Sequence, residues 1–205
     1  MGYTLFWSRL FELDREAFMH FVDDVREILA RAEDMGLRLA GPTGKGLPEL
    51  GPEIIAFNGS TKCGHRFRDL GSPWPSPTAG GIQDVEPPYD AKAEPWHSGP
   101  YLETRVCGGS CAGEPFIVDR KYMVRDWERA ESPKRYSCSC STAFKPYDLI
   151  VAAALVRFKE RLGDAVTIKS QNPENAFEEA KRLCRELFGW AEHFEVETRE
   201  SEILH

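Results

Sequence analysis

Four residues combine the types and spacing that bind a metal. Cys63 and His65 stand in a Cys-Gly-His step, and Cys107 and Cys111 bracket Gly-Gly-Ser. Both pairs are glycine-rich, which lets two ligands turn toward one ion. Zinc takes four such thiolate and imidazole ligands in a tetrahedron. The expectation is a structural zinc ion held by Cys63, His65, Cys107 and Cys111, closing the chain between them. The spacing is not that of a standard finger, since no Cys-x-x-Cys occurs. His65 is only two residues from Cys63, so Cys138 or Cys140 is an alternative fourth ligand. The competing reading is loop and strand thiols beside a surface histidine. Cys184 falls on the apolar stripe of a helix and reads as a core thiol.

A second constellation lies at a helix start. Ser141, Thr142 and Lys145 precede Pro146-Tyr147-Asp148, and unpaired amides at a helix N-terminus favour an anion. These three residues, with His97 from a long loop, form the candidate ligand-binding set. Its plain alternative is a helix start with Asp148 favouring the dipole. The segment Gly41-Pro-Thr-Gly-Lys-Gly46 is not a phosphate loop. It lacks the first glycine and the Ser/Thr after lysine, and it follows a helix rather than a strand. Acid pairs such as Asp23-Asp24 read as a solvated helix face. His20 reads as a boundary histidine.

The elements that must position these groups follow from periodicity. Phe18, Phe21, Val22, Val25, Ile28, Leu29 and Ala32 make one apolar stripe over 14–35, with Asp14 as N-cap and Gly36 at the C-terminal end. A second helix is expected over 146–162, with Tyr147, Ile150, Val151, Ala154, Leu155, Phe158 and Leu162 inward. A third is expected over 173–188, opened by Asn172-Pro173, with Phe177, Ala180, Leu183, Cys184, Leu187 and Phe188 inward. Short strands are expected over 3–8, 53–57, 101–106, 114–119, 136–142, 165–169 and 194–198. Asn58-Gly59 reads as a turn that ends the second of these. Helices at both ends and strands between predict an α+β fold with helices packed on one face of a mixed or antiparallel sheet.

The 205 residues suffice for one α+β domain with its own core, interrupted by a Pro/Gly-rich insertion at about 60–112. Residues 71–100 alone hold seven of the fourteen prolines. No regular element is expected there, and Trp74, Tyr89, Trp96 and Tyr101 either cover a small second core or line a groove. The formal charge of −7 argues against tight electrostatic binding to nucleic acid. The longest apolar run, Leu149–Val156, is far short of a membrane span. No leader peptide is recognisable at the start, so a soluble cytoplasmic protein is expected.

Four short pieces, Met1–Thr4, Ile54–Gly59, Gly113–Phe116 and Lys145–Asp148, resemble a family of uncharacterised bacterial and phage proteins. The resemblance implies a single cooperative domain and no particular reaction. The leading functional expectation is therefore a binding protein, zinc-stapled, for a small molecule or a protein partner. The alternatives are a small hydrolase or transferase acting on a phosphorylated or nucleotide-like substrate, and a structural component.

Overall fold

The computed structural model describes residues 4–63, 110–124, 135–170, 177–189, 194 and 196–198. Strand β1 (Thr4–Arg9) leads into helix α1 (Arg15–Asp34). Asp14 caps α1 by accepting a 2.9 Å bond from the Ala17 amide, as expected of an acidic N-cap. Gly36 adopts a positive φ just beyond the helix. Strands β2 (Leu39–Ala40), β3 (Glu49–Leu50), β4 (Ile54–Gly59) and β5 (Phe116–Asp119) come next. Strand β6 (Tyr136–Ser141), helix α2 (Asp148–Leu162), strand β7 (Val166–Ser170), helix α3 (Glu178–Phe188) and strand β8 (Glu197–Thr198) complete the order.

The fold is α+β in two layers. One sheet has the order β6-β1-β7-β8 and is mixed: β1 pairs antiparallel with β6 and β7, and β8 runs parallel to β7. In the other, β4 pairs antiparallel with β2, β3 and β5. The inward residues of the first sheet, Leu5, Trp7, Cys140, Val166 and Ile168, are buried with the helices, while Ser137 and Ser139 on its far face are exposed.

The apolar stripe of α1 is buried throughout, from Phe18 to Ala32. Helix α2 departs from the expected single stripe: Leu149, Ala152, Ala153 and Val156 are buried as well. It packs between α1 and α3 with β7 on a further side, which leaves little surface to water. Two further expectations need correction. Asn58-Gly59 is not a turn: both residues lie in β4 and pair with Ala40 and Leu39. Asp24 is not on a solvated face: it is 4% exposed and accepts bonds from Arg157 and Arg161 on α2. His20 is exposed. The expected strand at 101–106, the 71–100 segment with its four aromatics, and the Asn172-Pro173 helix start lie outside the described residues. No described helix is long and apolar enough to cross a membrane.

Candidate functional site

The residues nominated at the start of α2 converge on one short segment, 110–115, and tie it down. Glu114 and Ser141 pair at the end of β6: the Glu114 amide donates to the Ser141 carbonyl at 3.2 Å, and the Ser141 amide donates to the Glu114 carboxylate. The Lys145 ammonium donates to the carbonyls of Ser110, at 3.0 Å, and Ala112. Thr142 is fully buried, and its hydroxyl donates to Asp148, a carboxylate in the first turn of α2. Tyr147 donates its hydroxyl to the Glu114 carbonyl at 2.8 Å. Ser141, Thr142 and Lys145 are thus brought together, but around protein carbonyls and carboxylates. His97, the fourth member, lies outside the described residues.

Asn58 completes this junction from the other sheet. It is 2% exposed. Its Nδ2 donates to the carbonyls of Pro42 and Gly113, and its Oδ1 accepts from the amides of Gly59 and Gly113. Its side-chain hydrogen-bonding capacity is filled by the loop residues Pro42 and Gly113 and by its neighbour Gly59, which explains a buried amide at low cost. The turn before α2 is strained. Ala143 and Phe144 both hold positive φ, 52° and 57°, and the Lys145 amide closes the turn onto Thr142 at 3.1 Å.

The nominated metal ligands divide. Cys63 and Cys111 are buried in the same core cluster, 3% and 0% exposed. The Cys111 amide donates to the Ser60 carbonyl at 3.0 Å, which brings the two ends of segment 64–109 side by side. His65 and Cys107 lie outside the described residues. Among the described residues, no three His, Cys, Asp or Glu side chains are grouped to hold a metal. Cys140 is buried and donates its thiol toward the Glu114 carbonyl at 3.3 Å. Burial, reinforced by the Glu114 charge, pushes that thiol up to about 12. Cys184 is pushed to about 12 by burial as well. Both thiols are therefore protonated and weakly nucleophilic at neutral pH.

Beside the junction a cleft of about 630 Å³ opens between the two sheets. Trp7, Arg9, Ser137, Cys138 and Ser139 line it from one sheet. Glu114, Ile117, Asp119, Tyr122 and Met123 line it from β5 and its flanks. Arg9, one residue past the strand expected at 3–8, is 1% exposed. It donates to the carbonyls of Leu10, Phe11, Asp119 and Arg120, and so clamps β1 to the end of β5. Burial lowers its pKa, while Cys138, Asp119 and Tyr122 pull it back up. Burial raises the Asp119 carboxyl, and the Arg9 charge opposes that. Trp7 is 3% exposed, and its indole N–H has no hydrogen-bond partner among the described residues. The sequence holds one usable signal for this site: the aromatic strand 3–8 beside the Ser-Cys alternation of 136–142.

No family model, no curated protein and no solved structure matches this chain.

Proposed function

We propose that this protein is a cytoplasmic, non-enzymatic binding protein and that the cleft between its two sheets is the ligand site. The cleft itself carries this reading. It combines aromatic and apolar wall residues (Trp7, Tyr122, Ile117 and Met123) with a few convergent polar groups (Ser137, Ser139, Glu114 and Asp119), the usual composition of a recognition pocket. The junction at 110–115 supports the reading from below. Asn58, Lys145 and Tyr147 hold one wall rigidly, and pre-organised walls cut the cost of binding. The test is a fragment library screened by amide NMR. Shifts should gather on Ile117, Tyr122, Met123 and Ser139, and Ile117→Asp should weaken them. Shifts scattered over the helices would reject the site.

A structural zinc ion held by Cys63, His65, Cys107 and Cys111 belongs to the same reading. The donor set suits zinc. The burial of Cys63 and Cys111 and the bond from Cys111 to Ser60 support a shared position for the two ends of the 64–109 segment. Bound zinc would supply cross-linking energy to that segment rather than reactivity, since four protein ligands leave no open position. Elemental analysis of the purified protein should find one zinc per chain. Cys63→Ser and Cys111→Ser should lose it, and Cys184→Ser should keep it. A metal-free protein with an intact fold would remove the zinc from the proposal.

A further inference from the structure

The hydrogen-bond parity of β1 fixes which way β6 points its main chain. The Leu10 amide donates to Ala165, directly opposite it, so Phe6, Ser8 and Leu10 turn their main-chain groups toward β7. Leu5, Trp7 and Arg9 then turn theirs toward β6, where they meet Cys140, Cys138 and Tyr136. Ser137, Ser139 and Ser141 are left pointing outward from the sheet edge. Ser141 confirms the parity, since both its amide and its carbonyl bond to Glu114. Ser137 and Ser139 line the cleft, and among the described residues no main-chain group pairs with theirs.

The opposite wall has the same character. The Arg120 amide donates to Glu53, so Phe116, Val118 and Arg120 face β4, and Ile117 and Asp119 face away from it. The Asp119 carbonyl is taken by Arg9. The Ile117 main chain is left facing out from this edge. Among the described residues the two edges run together only at Glu114–Ser141. Phe116, the next residue whose main chain would face β6, turns to β4 instead.

We propose that the β6 edge accepts an extended peptide segment of a protein partner as an added strand. This rests on the cleft being the binding site and names what fills it. Two amides and two carbonyls repeat every second residue, ~6.8 Å apart, and only an extended main chain matches that repeat along its length. Exposed edges are usually blunted by charge or proline, yet Tyr136–Ser141 carries neither. Side-chain chemistry narrows the partner. Ile117 is 40% exposed and Met123 is 77% exposed, offering apolar contact. Among the described residues the lining carboxylates are Glu114, which also accepts from the Ser141 amide, and Asp119; the one lining cation among them is Arg9, whose guanidinium is turned onto carbonyls, and the chain carries −7. A strand of apolar residues alternating with lysine or arginine is complementary.

The probe is a synthetic eight-residue peptide alternating lysine and isoleucine. Its companions carry glutamate for lysine, or N-methyl groups on either the odd or the even amides. The basic peptide should slow amide exchange at Ser137 and Ser139, and the glutamate peptide should bind more weakly. One N-methylated series should lose about tenfold or more in affinity while the other keeps it, because alternate amides face the edge. Ser139→Pro should abolish binding and keep the β1 pairing, since that amide points outward. If that variant does not fold, the methylated peptides decide. Equal binding by both methylated series, or unchanged exchange at Ser137 and Ser139 at saturation, overturns strand addition. Shifts at Ile117, Tyr122 and Met123 in that case leave the cleft standing as a site. No shift at any lining residue, with peptides or fragments, removes both readings. Protection at Ser139 that grows with protein concentration alone assigns the edge to a second copy and overturns the peptide partner.

Discussion

Gly113 lies against the phenol of Tyr147 so closely that a β-carbon built on Gly113 would stand 2.4 Å from the hydroxyl oxygen. The same hydroxyl holds the Glu114 carbonyl at 2.8 Å, so it cannot retreat without releasing the segment that walls the cleft. Gly113→Ala should therefore cost about 1–3 kcal/mol by overpacking, read from urea unfolding. Tyr147→Phe should cost about 1 kcal/mol for the lost bond. The double variant should be less destabilised than the sum, because removing the hydroxyl makes room for the methyl. Strict additivity would show that the contact does not constrain Gly113.

Asp24 joins two helices through a buried carboxylate. Arg157 donates to it at 2.8 Å and Arg161 at 2.7 Å; the Arg157 side chain is 6% exposed and that of Arg161 37%. Arg157 also lies 4.3 Å over the Phe188 ring, which ties in α3. Asp24→Ala should cost about 3 kcal/mol, since it leaves the buried Arg157 guanidinium paired with Glu160 alone. Arg161→Ala should cost under about 1 kcal/mol, because its half-wet bond is screened. Equal losses in thermal or urea unfolding would contradict this ranking.

Ala143 sits exposed in a left-handed conformation that penalises its β-carbon by ~1–2 kcal/mol. Glycine removes that penalty but adds ~0.5–1 kcal/mol of unfolded-state entropy. Ala143→Gly should stabilise the fold by about 0.5 kcal/mol, and Ala143→Val should destabilise it. Loss of stability in the glycine variant would mean that the turn is not strained at Ala143.

The buried thiols make stability fall in alkali. Burial holds Cys140 and Cys184 at about 12 in the folded chain, against an ordinary value of 9.0. Each keeps its proton when folded and loses it more readily when unfolded. Their contribution is fully present below about pH 9 and is lost as the pH climbs toward about 12. Unfolding free energies measured from pH 8 to 11 should decline less steeply for Cys184→Ala than for the parent. At pH 8 both thiols should resist alkylation until the chain unfolds.

Much of the scaffold was written in local pattern. The apolar stripe of α1, its Asp14 cap and the positive-φ glycines at 36, 163 and 189 arise from interactions within a few residues, and the sequence alone determines those. The α+β class followed from the order of such elements. What the local pattern misjudged was decided by partners far along the chain. Asp24 looks solvated until α2 places two arginines beside it. Asn58-Gly59 has the composition of a turn, yet Asn58 finds its partners at Pro42 and Gly113, and four satisfied bonds outweigh a turn preference. Arg9 carries no local sign of burial, and the carbonyls it binds belong to the β5 terminus far along the chain. The cleft and the β6 edge, unpaired among the described residues, are tertiary facts of the same kind. The direction in which Ser137 and Ser139 point their amides depends on pairing with β1, more than a hundred residues earlier. No short-range preference encodes that parity, because side-chain alternation is the same whichever edge is paired.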